Sequence, residues 1–82
     1  MKLHIIYTNS EMLLTKKPYL SWREIQDEYP DYKASMGPWS EEEVLEFVEP
    51  EYPDLDPPAQ DQIRGLMGSS NETIQFSFSH HV

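Results

Sequence analysis

The chain has 82 residues, a net charge of −9 and no cysteine. This length corresponds to one domain, residues 1–82, with a modest core. The lack of cysteine excludes disulfides and thiolate chemistry and favours a reducing compartment. No apolar run approaches the roughly 20 residues that span a bilayer, and the apolar stretch at the start is too short for a secretion signal. We therefore expect a cytoplasmic protein with no membrane partner.

The negative charge is concentrated in the middle of the chain. Residues 24–61 contain thirteen acids and a single base, Lys33, for a charge of −12, whereas the remaining residues sum to +3. Such a block repels nucleic acid and anionic membranes and attracts basic protein surfaces. Direct nucleic-acid binding is therefore not expected.

Two short strands are predicted at the start of the chain. Residues 2–8 alternate, with Leu3, Ile5 and Tyr7 on one side, a pattern typical of a half-buried strand. Residues 12–15 form a second short apolar segment after the predicted turn Asn9-Ser10. We predict a second strand there.

The first predicted helix begins at a capping box. Ser21 and Glu24 have the spacing at which the serine side chain and the glutamate side chain each bind the other's backbone amide. Leu20 and Ile25 are placed for the hydrophobic contact that often accompanies this motif. Pro30 ends the helix.

The second predicted helix uses the same motif. Ser40 and Glu43 form the capping box, and Trp39 and Val44 are placed for the hydrophobic contact. Pro50 is predicted to end this helix. Trp22 and Trp39, which flank the two helix starts, are both predicted to contribute to the core.

A third helix is predicted to begin with Asp56 as its cap and Pro57 in its first position. Its apolar residues fall on one face, and Gly68 is predicted to stop it. The apolar face comprises Ala59, Ile63, Leu66 and Met67.

The last predicted element is a strand over residues 73–79, where Ile74, Phe76 and Phe78 alternate with polar residues. Strands at both ends with helices between them predict an α+β domain. In this fold the terminal strands pair in a small sheet and two to three short helices pack on one face.

A four-residue sequence occurs twice. Residues 28–31 read Glu-Tyr-Pro-Asp, and so do residues 51–54. Each copy lies near the end of a predicted helix. The repeat indicates either two related helix–turn units or a coincidence in a segment rich in these residue types.

Catalytic and metal sites are not predicted. The three histidines, His4, His80 and His81, lie at the chain ends, where a catalytic geometry is hard to hold. Adjacent histidines on a strand point to opposite faces, so His80 and His81 read as a tail and not as a metal site. The carboxylates that start at Asp54 fail the calcium-loop pattern, because Ala59 stands where glycine is required. No enzyme activity, cofactor or metal is expected.

The second helix contains more acidic residues than stabilisation of the helix can account for. Asp and Glu near a helix start interact favourably with its dipole, but those further along repel one another. Five glutamates in nine residues, about 13 Å of helix, give roughly one charge per 2.7 Å, between the spacings of duplex and single-stranded nucleic acid at about 1.7 and 3.4 Å. The predicted partner-binding residues are Glu41, Glu42, Glu43, Glu46, Glu49, Glu51, Asp54, Asp56 and the aromatic Tyr52.

In size, charge and helix chemistry the chain resembles the small acidic inhibitors, anti-CRISPR proteins among them, that phages make against host defence or DNA-binding enzymes. This resemblance is one of composition and involves no motif. It implies an inhibitor in the host cytoplasm that blocks a basic, nucleic-acid-binding surface of a protein by mimicking nucleic acid. The alternative is a structural subunit or adaptor that binds through an apolar sheet face or a strand edge, with the acids serving only solubility.

Overall fold

A computed structural model describes residues 2–79 and shows an α+β domain, as predicted, in which three helices accompany one four-stranded antiparallel sheet. In chain order the elements are β1 (Leu3–Thr8), β2 (Met12–Thr15), α1 (Trp22–Glu28), β3 (Tyr32–Trp39), α2 (Glu41–Glu51), α3 (Ala59–Met67) and β4 (Thr73–Gln75).

The sheet order is β3-β1-β2-β4. The hairpin of β1 and β2 pairs Ile5 with Leu14, and β2 pairs in turn with β4, where Leu14 faces Ile74. The first and last strands therefore belong to the same sheet, with β2 between them. The second strand is confirmed over the predicted residues 12–15.

Helices cover both faces of the sheet. On one face α2 and α3 bury Leu3, Ile5 and Leu14 in the larger core. On the other face α1 buries Ile6 and Leu13 under Ile25. The prediction of helices on one face holds for α2 and α3 but is wrong for α1. Burial on both faces also explains why β1 is apolar on both sides.

The two capping boxes have different outcomes. At α2 the box is complete, since the Ser40 hydroxyl accepts from the Glu43 amide and the Glu43 carboxylate accepts from the Ser40 amide. At α1 the Ser21 hydroxyl accepts from Arg23, and Glu24 reaches Leu20 instead. Leu20 is 91% exposed, so the predicted contact with Ile25 does not form.

The predicted start of α3 is wrong. The helix begins at Ala59 with Pro58 as its cap and no side-chain capping bond. Asp56 lies before the helix, where its backbone amide donates to the Ser77 carbonyl. Backbone pairing with a distant segment thus holds Asp56 outside the helix. The apolar face is confirmed, and Gly68 caps the carboxyl end.

The last strand is shorter than predicted, but its apolar face is confirmed. Regular pairing ends at Gln75, after which Phe78 forms an isolated bridge with Leu55. Ile74, Phe76 and Phe78 all pack in the larger core. The chain thus leaves β2 to pair with the segment between α2 and α3.

Strand β3 has no counterpart in the predictions. It pairs with β1 at the sheet edge, with irregularities in register at both ends. Its sequence includes Gly37 and Pro38, residue types that are depleted in strand interiors and tolerated at edges and bulges. Pairing with β1 therefore decides its conformation.

The repeated Glu-Tyr-Pro-Asp sequence has the same structure in both places. Tyr29 and Tyr52 are the carboxyl-terminal caps of α1 and α2, and each amide donates to the carbonyl four residues earlier. Each tyrosine carbonyl then accepts from the amide three residues later, that of Tyr32 or Leu55. The repeat marks two equivalent helix ends.

His4 is buried beneath the α1 layer. It is 6% exposed, its ring meets the Tyr19 ring edge-on at 5.9 Å, and its Nδ1 atom is buried without a hydrogen-bond partner among the described residues. Burial lowers the pKa of His4, because the charged imidazolium loses its hydration.

This burial predicts a pH-dependent stability. In the unfolded chain the histidine pKa is about 6.5. As the pH falls, the unfolded chain therefore binds a proton at a higher pH than the folded protein does. The free energy of unfolding is therefore expected to fall between pH 7 and pH 5, by at most about 1.4 kcal/mol per pH unit. Urea titrations at a series of pH values measure this slope.

The matched variant for this experiment is His4→Leu. It removes the titrating group, so its free energy of unfolding is expected to change much less between pH 7 and pH 5. Equal slopes for the variant and the wild-type protein would show that His4 is not the cause.

Candidate acidic interface

Every acidic residue of the predicted partner-binding set is exposed on the surface. Glu41, Glu42, Glu43, Glu46 and Glu49 lie on α2, and Glu51 ends it. Asp54 and Asp56 follow in the segment that leads to α3. We call this set the acidic surface.

Helix α2 presents three of these acids away from the core. Val44 and Val48 are fully buried and define the inner side of the helix. Glu42, Glu46 and Glu49 follow at four- and three-residue spacing on the outer side, where neighbouring carboxylates repel one another. They form the central stripe of the acidic surface.

Glu43 has a structural role that its outer neighbours lack. The Ser40 amide donates to the Glu43 carboxylate at 3.0 Å, and this bond lowers the pKa of Glu43. The Glu43 carboxylate therefore stabilises the start of the helix. Glu43 is a less suitable position than Glu42, Glu46 or Glu49 for testing partner binding.

Within residues 2–79, no cation lies at ion-pair distance from the acidic surface. Over residues 2–79 the one ion pair joins Lys17 to Glu28 at 2.5 Å. Lys16 donates to the carbonyls of Leu66 and Ser69 at the carboxyl end of α3, where a positive charge is favoured by the dipole. These two lysines are therefore bound elsewhere, and the repulsion within α2 persists.

The segment between α2 and α3 is held by hydrogen bonds. The Asp54 carbonyl accepts from the Ser79 amide, and Gln62 bridges the two sides of this region. Its amide nitrogen donates to the carbonyls of Pro57 and Ser77, while its oxygen accepts from the Ser77 amide. The backbone that carries Asp54 and Asp56 is thus fixed against residues 77–79.

Tyr52 is part of the core as well as of the predicted site. Its hydroxyl shares a hydrogen bond of 3.0 Å with the Tyr7 hydroxyl, and its ring packs edge-on against Phe47 and Phe78. Burial, together with this bond, raises the pKa of Tyr7. One side of Tyr52 still borders a surface cavity beside Glu49.

The two tryptophans differ in their surroundings. Trp39 packs against the larger core and the Phe47 ring, as predicted. Trp22 is 51% exposed, with the Arg23 guanidinium 5.4 Å from its ring centre, so its predicted place in the core is wrong. Trp22 and the exposed Leu20 form a small apolar area at the start of α1.

A groove between α2 and α3 was not anticipated from the sequence. Near the amino end of α2, Leu45 and Ile63 line a cavity of about 310 Å³ together with Glu42, Gln60 and Arg64; Glu41 completes the lining. The four-residue spacing of Glu41, Leu45 and Glu49 was the sequence signal for this side of α2. Its partner, α3, could not be placed beside it from the sequence.

A separate cavity of about 330 Å³ lies toward the other end of α2, between Glu49 and Tyr52 on one side and Pro58 and Ala59 on the other. At the amino end, Met67 borders a further cavity with Glu41 and Glu42. We call this run of cavities the α2–α3 groove.

His80 and His81 lie outside the described residues. Within residues 2–79, no group of three or more His, Asp or Glu side chains is arranged to hold a metal ion. No helix in that part of the chain combines the length and apolarity needed to cross a membrane.

The chain matches no protein-family model, no curated protein and no solved structure.

Proposed function

We propose that this protein binds the basic surface of another protein and inhibits it by occupying a nucleic-acid-binding groove. The observation that carries the proposal is the acidic surface, which is exposed and has no ion-pair partner within the described residues. Like charges on one helix face destabilise the free protein. Binding to a basic partner relieves that repulsion.

The arrangement of α2 supports mimicry of nucleic acid. Glu42, Glu46 and Glu49 project from a helix that is anchored to the core by Val44 and Val48. Asp54 and Asp56 extend the charge along a segment held by backbone bonds. A pre-ordered row of charges binds at a lower entropic cost than a flexible acidic tail.

The test is the triple variant E42Q/E46Q/E49Q, which leaves the Glu43 cap intact. Removing like-charge pairs worth about 0.2–0.5 kcal/mol each is expected to raise the free energy of unfolding slightly. Binding to the target is expected to weaken at least tenfold. Wild-type and variant proteins are compared by pull-down from host-cell lysate, with washes at low and at high salt.

The expected result is a nucleic-acid-binding protein that is captured at low salt, released at high salt and displaced by DNA or RNA. The variant should capture much less of it. Unchanged capture by the triple variant would overturn the proposal.

The alternative adaptor function has one observation in its favour, the exposed Leu20 and Trp22. The apolar residues on both sheet faces lie under helices, so this apolar area is the more accessible contact. A partner that stays bound at high salt and is lost with Leu20→Ser would support the adaptor.

A further inference from the structure

We propose that the α2–α3 groove docks a basic amphipathic helix of the target protein. This inference rests on the proposed function and names the part of the target that the acidic surface recognises. The groove has an apolar floor, in which Leu45 and Met67 are half-buried and Ile63 is 4% exposed. Acids of α2 stand along one rim.

The charges of the groove indicate which kind of segment can bind there. Glu41 and Glu42 line one end and Glu49 the other, while Arg64 is the basic residue of the lining. An acidic rim over an apolar floor complements a segment that carries lysine or arginine beside aliphatic side chains. An acidic or purely polar segment would leave the rim charges unpaired.

The dimensions of the groove favour a helix as the occupant. The cavities of the groove lie along α2 between Glu41 and Tyr52, about 16 Å at 1.5 Å per residue. Glu42 and Glu49 are seven residues apart, which is two turns, so they repeat on the same side of α2. A helix of the target that lies along α2 and α3 can place basic residues two turns apart, opposite Glu42 and Glu49. Its apolar residues between them would then face the floor of the groove.

The probes are two synthetic peptides of about 14 residues with the same lysines, one carrying leucines on the opposite face and the other serines in their place. The full chain is expected to bind the leucine peptide at least tenfold more tightly, because only that peptide buries apolar surface in the groove. Isothermal titration calorimetry gives both affinities. Methyl NMR signals of Leu45, Ile63 and Met67 are expected to shift with the leucine peptide.

Two matched double variants separate the groove from general charge attraction. E42Q/E49Q changes acids that line the groove, and E46Q/E51Q makes the same charge change on the same helix away from it. The first is expected to weaken binding of the leucine peptide about tenfold and the second about twofold. Gln60→Trp, at an exposed position, fills the groove without changing charge and is expected to weaken binding as well.

Several outcomes would overturn the proposed groove site. Equal affinity for both peptides, or equal losses in the two double variants, would reduce the contact to general attraction and leave the proposed function intact. Concentration-dependent dimerisation that Gln60→Trp abolishes would identify a second copy of the chain as the occupant. No binding of either peptide, with no salt-released partner in the pull-down, would overturn both proposals.

Discussion

Replacing Gly37 with alanine is expected to lower the free energy of unfolding by about 3 kcal/mol. Gly37 has a φ of +117°, and an added Cβ would lie 2.5 Å from the Leu3 carbonyl oxygen and 3.2 Å from the His4 ring. The first contact is with a backbone atom and the second is with a buried ring. A small side-chain movement therefore cannot relieve either clash. For a domain of this size the total stability is about 4–12 kcal/mol, so the loss is large.

Gly65 supplies the matched control for this substitution. It lies inside α3, and an added Cβ would meet nothing within 4 Å. Gly65→Ala is therefore expected to raise the free energy of unfolding by about 1 kcal/mol, because alanine favours the helical backbone. Urea unfolding of both variants checks the opposite signs, and a stable Gly37→Ala variant would contradict the edge geometry described for β3.

Gln62→Leu is expected to lower the free energy of unfolding by about 2–3 kcal/mol. Gln62 is 8% exposed, and leucine keeps much of its volume while removing all three of its hydrogen bonds. The Ser77 amide and the Pro57 carbonyl then lose a partner, whereas the Ser77 carbonyl keeps its bond from the Asp56 amide. The segment that carries Asp54 and Asp56 is expected to loosen.

Two measurements separate this effect from a general weakening of α3. Gln60→Leu alters the same helix at an exposed position and is expected to change stability by less than about 0.5 kcal/mol. Amide exchange at Ser77 is expected to accelerate in the Gln62 variant and not in the Gln60 variant. Unchanged exchange at Ser77 would show that Gln62 does not hold this segment.

Elements defined by short-range signals could be predicted. The capping box of Ser40 and Glu43 determines the start of α2, and the alternation of Ile74, Phe76 and Phe78 determines the face that packs in the core. In each case the sequence signal lies within a few residues. The exposed acids of α2 follow from the same local pattern.

Features that depend on distant partners could not be predicted. Strand β3 exists because β1 pairs with it, although Gly37 and Pro38 argue against a strand. Asp56 does not cap α3, which begins three residues later, and its backbone amide instead donates to Ser77, a residue far along the chain. The α2–α3 groove depends likewise on how two helices pack, which their separate sequences do not specify.

The sheet order has a consequence for when the acidic surface takes its final arrangement. The pairing of β2 with β4 joins Thr15 to Thr73, and both α2 and α3 lie within the loop that this pairing closes. Long-range pairings form late, because the entropy of loop closure opposes them. During synthesis the hairpin of β1 and β2 can form early, but Phe76 and Phe78 complete the core beneath α2 and α3 only after residues 73–79 have left the ribosome. A nascent chain would therefore expose its acids before it could hold them in place, and the proposed binding to a basic partner would begin only after residues 73–79 have emerged.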